Sequence, residues 1–170
     1  MSQTKLIERR KIAVMYMTLL LFWVMLQGSF AFDVLLIGSL VSATIAFLYR
    51  DGLSFFTEFR PTRKAVIAGF KYYAYFFKAL FTSNIKLALI ILSPSLPIKP
   101  GIVKVRTKLK TSMGRLMLAN SITLTPGTLT VELEGEWIYV HWVTTEAEDI
   151  ETATQQIVAN FESYLEVMYG

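Results

Sequence analysis

The 170-residue chain is 54% hydrophobic and 18% charged, too apolar for an ordinary water-soluble domain and too charged for a protein sunk wholly in lipid. Its net charge of +4 is uneven: residues 1–97 hold 11 Lys/Arg against 4 Asp/Glu, and residues 98–170 hold 6 against 9. The absence of cysteine excludes disulfides, thiolate metal sites and cysteine nucleophiles, and basic residues that flank apolar runs read as membrane topology signals, not as a nucleic-acid surface.

The basic leader "MSQTKLIERRK" precedes "IAVMYMTLLLFWVMLQ", an uncharged run from Ile12 to Gln27. Leu26-Gln27-Gly28 is a poor signal-cleavage site and a second apolar run follows at once, so both runs are expected to stay. That second run, residues 30–49, carries Asp33 near its start and small residues at Gly38, Ser39, Ser42, Ala43 and Ala46, where a neighbouring helix can approach closely. Each run is long enough for one crossing. Residues 1–61 therefore read as a basic N-terminus and an antiparallel transmembrane pair, about 12–27 and 30–49. Arg50, Arg60, Arg63 and Lys64 follow it, which puts both ends of the pair on the cytoplasmic side. Asp33 is a candidate ion-pathway residue, although its place at a helix start favours a wetted interface residue.

Arg60-Pro61-Thr62 looks like a helix start, and no breaker appears until Pro94. On a helical wheel Lys64, Lys71 and Lys78 fall within about 40° of each other, with Lys86 within about 80°, and aromatic and aliphatic residues fill the rest. Segment 62–93 is thus a long amphipathic helix, either lying in the interface with Lys71, Lys78 and Lys86 at the headgroups, or crossing as a third membrane helix. Lysines spread along its length favour the first reading, because each would be costly at mid-bilayer. The basic segment Lys99–Arg115 beyond it also belongs on the cytoplasmic side.

"SPSLPIKPG" (residues 93–101) gives a Pro-rich linker at 94–101. Residues 98–170 then read as a small cytoplasmic α/β domain. "IVKVRTKL" alternates as a strand, and "TSMGRLMLANSI" is a short helix or an extended stretch. A hairpin over "TLTVELEGEWIYVHWV" should put Leu129, Val131 and Leu133 on one face with Ile138, Val140 and Trp142. Thr145 and Glu148 form a capping box for an amphipathic helix from Ile150 to the C-terminus. Two helices over one sheet face bury the most with so few residues, giving an α+β sandwich behind a membrane helical region.

Little here suggests catalysis. His141 is the only histidine and faces away from Val140 and Trp142 in its strand, so a structural role outweighs a catalytic one. A lipid-directed enzyme would have to pair it with Glu132 or Glu136. A free-standing membrane-anchored adaptor is the other alternative. The distinctive stretch is "LANSITLTPGTLTVEL", residues 118–133, where Asn120, Ser121, Thr123, Thr125, Thr128 and Thr130 surround Pro126-Gly127. Pro fixes φ and Gly accepts φ > 0, so Thr125–Thr128 should form a type II turn capped by hydroxyls.

That stretch, followed by "IYVHWV", resembles the signature of the MrpE (MnhE, PhaE) family of the Mrp-type multisubunit sodium/proton antiporters, and the likeness runs over nearly the whole chain. The resemblance implies a bacterial inner-membrane component of an assembly that exports sodium in exchange for protons. Its partners would be the other Mrp-type antiporter subunits (A, B, C, D, F and G), nearest the small ones and a large one, together with the lipid bilayer. It implies no cofactor, metal or nucleic acid, and leaves proton pumping to the large subunits. The family's functional residues would map to Asn120, Thr125, Pro126, Gly127 and Thr128. The expected role is an accessory one in assembly and sodium efflux, bordering the cation route.

Overall fold

The computed structural model describes residues 2–49, 58–147 and 149–170, with side chains from Arg9 onward. Arg50 and Glu148 of the sequence reading lie outside these residues. Two compact units meet at the Glu58–Phe59 bond.

The first unit holds α1 (Ser2–Gln27) and α2 (Phe32–Leu48). α1 begins well before its uncharged run, so the basic leader is helical too. Gly38, Ser42 and Ala46 are the buried residues of α2. They lie one turn apart on one face, the spacing that lets two helices close up. Trp23 lies so tightly over Gly38 that a Cβ there would collide with the indole ring. The indole N–H donates to the Val34 carbonyl oxygen at 3.1 Å, and the Tyr16 and Ser39 hydroxyls meet at 2.7 Å. Leu21, Phe22, Leu40 and Phe47 point outward, each at least 60% exposed. So large an apolar exterior suits a lipid solvent and not water.

The second unit contains α3 (Arg63–Leu92), β1 (Gly101–Arg106), α4 (Ser112–Leu124), β2 (Thr128–Glu134), β3 (Trp137–Trp142), α5 (Ile150–Ile157) and α6 (Ala159–Tyr169). The strands form one antiparallel sheet in the order β1-β3-β2. α4 packs on β2, α5 on β1, and α6 touches α4, α5 and α3. Val105, Ile138 and Val140 of the sheet meet Leu118, Ile122, Val158, Phe161 and Leu165 of the helices in one core. Ala65, Ala68 and Tyr72 of α3 are buried in the same core. The compact unit therefore begins at Phe59 and encloses the Pro-rich segment, where a boundary at 94–101 was expected. Its start is pinned by the Arg60 N–H, which donates to the Met168 carbonyl oxygen at 2.9 Å, and by Phe59 edge-on to Tyr169 at 5.8 Å. Thr62 caps α3, its hydroxyl oxygen accepting from the Ala65 N–H at 3.1 Å.

Two expectations for this unit need correction. The hairpin is irregular: Thr130 pairs with Val140, but Glu132 pairs with Tyr139, so Val131 is the extra residue of a β-bulge. The bulge shifts the alternation, and only Leu133 shares a face with Ile138. Leu129 and Val131 are instead about half exposed, at 50% and 54%. The core-facing places of β2 go to Thr128 and Thr130, for reasons given below. The C-terminal helix is also capped differently. Asp149 is its N-cap, accepting from the Thr152 N–H at 2.7 Å. Those bonds hold the Asp149 carboxyl below its ordinary pKa, the Thr152 backbone N–H first and the Thr152 hydroxyl next. The helix is interrupted at Val158, giving α5 and α6.

Candidate functional site

The hydroxyl-rich stretch is the splice between α4 and β2. A helix leaves its last carbonyls without partners inside the helix. Here threonines supply them. The Thr125 hydroxyl donates to Ser121 O at 2.7 Å. Thr128 shares its hydroxyl proton between Ile122 O at 2.6 Å and Thr125 O at 2.9 Å, and the Thr130 hydroxyl donates to Ala119 O at 3.1 Å. Thr123 works in the other direction, its oxygen accepting from the Thr130 N–H at 3.2 Å. This is why threonines, and not Leu129 and Val131, face inward on β2. The turn itself follows the sequence: Gly127 sits at φ +95°, and the Thr128 N–H donates to the Thr125 carbonyl at 3.2 Å, as a type II turn requires.

α3 is fastened to this splice by a polar contact that no sequence signal announced. Ser121 gives its one hydroxyl proton to Met117 O at 2.6 Å, so the buried Tyr72 hydroxyl donates to Ser121 Oγ at 2.5 Å. Phe161 then gathers the aromatic rings of α3, with centroids 5.0 Å from Tyr75, 6.3 Å from Tyr72 and 6.5 Å from Phe76. The aromatics of this helix thus divide between two environments. Tyr72, Tyr75 and Phe76 serve the core, while Phe70, Phe77, Phe81, Ile85 and Leu89 stay more than half exposed on the opposite side. Lys71, Lys78 and Lys86 are exposed and lie along one flank of the wheel, Lys71 and Lys78 at the edge of the apolar side and Lys86 toward the core side.

A cleft of about 500 Å³ opens between the later turns of α3 and the corner. Thr125, Pro126, Gly127 and Thr128 line one wall, with Lys78, Thr82 and Lys86 on the other. Ile122, Trp142, Ile157 and Phe161 make its floor apolar. The structure therefore brings together two of the three predicted surface lysines and the whole predicted turn. Lys71 is not part of this cleft. Asn120 is exposed on α4 and does not line it either.

Asp33 sits exposed in the first turn of α2. His141 is half-buried on the sheet face that carries no helix, in register with Ile102 and Leu129. Of its candidate partners, Glu136 binds Arg106 at 2.8 Å, and Glu132 stands opposite Tyr139 in the ladder, not opposite His141. Sequence reasoning also missed Glu162. This buried carboxylate accepts from the Thr107 hydroxyl at 2.6 Å and the Lys108 N–H at 2.7 Å, fixing the β1–α4 loop. Among the described residues no group of three or more His, Asp or Glu is arranged to hold a metal.

Comparison with known proteins agrees with this architecture over nearly its full length. A family model described as Na+/H+ ion antiporter subunit (MnhE) matches residues 16–168. The Na(+)/H(+) antiporter E-type subunit of Alkalihalophilus pseudofirmus is 41% identical over 121 residues, covering 70% of this chain and 74% of the relative. The corresponding E1-type subunit of Staphylococcus haemolyticus is 31% identical over 136 residues, covering 76% and 81%. Among solved structures, a chain of the membrane-bound sulfane sulfur reductase, an archaeal respiratory membrane complex, superposes with TM-score 0.78 at 33% identity, covering 92% of this chain and 98% of that one.

Proposed function

The chain belongs to the MnhE family of Na+/H+ ion antiporter subunits, and on that premise we propose that it is an accessory membrane component of a multisubunit sodium/proton antiporter. The observation that carries this reading is the family match across residues 16–168, which takes in both compact units. Its partners are the other subunits of an Mrp-type assembly, and its place is the bacterial cell membrane.

The accessory part of the reading rests on chemistry. A proton or sodium relay through lipid needs ionisable groups along the path. From Ile12 to Leu48 the chain offers one carboxylate, Asp33, and it is at a helix start. A relative of the same fold sits in a respiratory complex named for sulfur reduction. What the two settings share is membership in a large membrane assembly, which supports a scaffolding role over a conducting one.

In this proposal α3 lies in the bilayer surface. Its exposed apolar face meets lipid or a membrane partner, its lysines reach the headgroups, and the α/β unit and the N-terminus are cytoplasmic. The division of α3 into a core-facing side and an exposed apolar side supports this, since a helix surrounded by lipid would have no water-soluble core to pack on. The Thr125–Thr128 corner then borders neighbouring subunits.

Deletion of the gene with plasmid complementation is the test. Without this chain, sodium-dependent proton exchange in everted vesicles and recovery of the intact complex should both be lost, and both should return with the wild-type copy. Full antiport from a complex lacking the chain would contradict the proposal. So would antiport by the purified chain alone in proteoliposomes.

A further inference from the structure

The cleft beside the corner has the form of an amphiphile site. Lys78, Thr82 and Lys86 stand at i, i+4 and i+8 on α3 and line one wall, so they form a single row along one side of the helix. Neither lysine makes an ion pair with a described residue, and both are exposed. Thr82 stands between them and is exposed as well. Two unpaired cations with the Thr82 hydroxyl between them ask for an anion that also accepts hydrogen bonds.

The floor narrows the choice. Around it the half-buried Tyr75, Ala79 and Trp142 offer apolar surface that an inorganic anion would leave uncovered. Leu87 and Ile90 carry that surface along α3 toward Leu89 and Leu92, which are 64% and 78% exposed. Glu146 is the one carboxylate in the lining, so two lysines leave a net charge of +1. That balance suits one phosphodiester charge better than a polyanion.

We propose that the cleft binds the headgroup of a monoanionic phospholipid, with the phosphodiester on the Lys78–Thr82–Lys86 row and acyl chain on the apolar floor. The inference deepens the reading of α3 as a helix in the bilayer surface. It is tested on the isolated full-length chain, so it can fail while that reading and the antiporter assignment stand.

Native mass spectrometry of the chain in detergent, titrated with phosphatidylglycerol, phosphatidylcholine of the same acyl chains, or glycerophosphate, reads the binding directly. Phosphatidylglycerol should bind in preference to phosphatidylcholine. Lys78→Gln with Lys86→Gln should weaken it about 25-fold, about fivefold per lost charge, and Arg at both positions should restore it. Lys108→Gln with Lys110→Gln, on the β1–α4 loop, should change little. Equal binding of the two lipids overturns the proposal, as does an equal loss from the Lys108/Lys110 pair, which would mean non-specific charge attraction. Glycerophosphate binding as tightly as the lipid would make this a soluble-phosphate site and overturn the lipid assignment.

Discussion

The two compact units hold themselves together by opposite means. Residues 59–170 bury leucine, isoleucine, valine and phenylalanine around one core and, Glu162 excepted, leave charge outside. The α1–α2 pair buries little more than glycine, serine, alanine and the side chains that cover them, and turns its large apolar residues outward. In water the first arrangement draws on the hydrophobic effect. In lipid that drive vanishes between helices, and close backbone approach with a few hydrogen bonds takes its place. The same residue type therefore means different things in the two units: a leucine is glue in one and solvent contact in the other. α3 obeys both rules at once, with Ala65, Ala68 and Tyr72 inside the core and Phe70, Phe77 and Phe81 outside it.

The comparison is broken most sharply by removing one leucine from each unit. Leu165 is fully buried, and Leu165→Ala should cost about 2–5 kcal/mol, read as a lower unfolding midpoint of the full chain in mild detergent. Leu21 is 61% exposed, and Leu21→Ala should lie within about 0.5 kcal/mol of wild type. Equal losses would mean that Leu21 packs against protein.

The corner comes next in size. Gly127 at φ +95° holds a backbone conformation that a β-branched residue rarely adopts, so Gly127→Val should cost about 1–3 kcal/mol. Pro126→Gly acts through the unfolded chain and should cost about 0.4–1 kcal/mol. Melting of the full chain, set beside sodium-dependent proton exchange of the complex, separates two roles. If the corner borders partners, Pro126→Gly lowers exchange and complex recovery by more than its small stability loss explains. If exchange follows stability alone, the corner serves only its own fold.

In the helical pair, Tyr16→Phe removes one hydroxyl contact with Ser39 and should cost about 0.6 kcal/mol, the usual worth of such a bond in a membrane. Gly38→Ala should be worse, because the added methyl meets the Trp23 ring; a shifted Trp emission would report it. The smallest effect is at Asp149. Its carboxyl is held below the ordinary pKa, so its cap stabilises above the unfolded pKa and fades as pH falls through the lower folded value. Asp149→Ala should lower the midpoint slightly near pH 7, and the gap to wild type should close in strong acid. A gap that persists there would remove the charged cap as its cause.

Much of the fold was legible because its signals are local. Two uncharged runs, a small-residue seam, Pro126-Gly127 and the three- and four-residue spacing after Ile150 each name an element without reference to the rest. The failures lie where one pattern serves two purposes. Alternation in "TLTVEL" reads the same with or without a bulge, and only the demand of α4's carbonyls for hydroxyls puts Thr128 and Thr130 inward. Tyr72 and Tyr73 are neighbours of identical chemistry, yet one is buried against Ser121 and the other is 52% exposed. That difference depends on where α6 lies, which composition does not encode. The cleft that joins Lys78 and Lys86 to the corner was invisible for the same reason: its walls are some 40 residues apart in the chain.

The central claim is that α3 lies along the membrane, with the N-terminus and the α/β unit together on the cytoplasmic side. Because the chain has no native cysteine, single cysteines at Ser2 and Thr152 can be labelled without background. Thr152 is exposed at the start of α5. A membrane-impermeant thiol reagent should leave both positions unmodified in intact cells and modify both in everted vesicles. Labelling of Thr152→Cys from outside intact cells, with Ser2→Cys protected, would make α3 a third crossing and contradict the account.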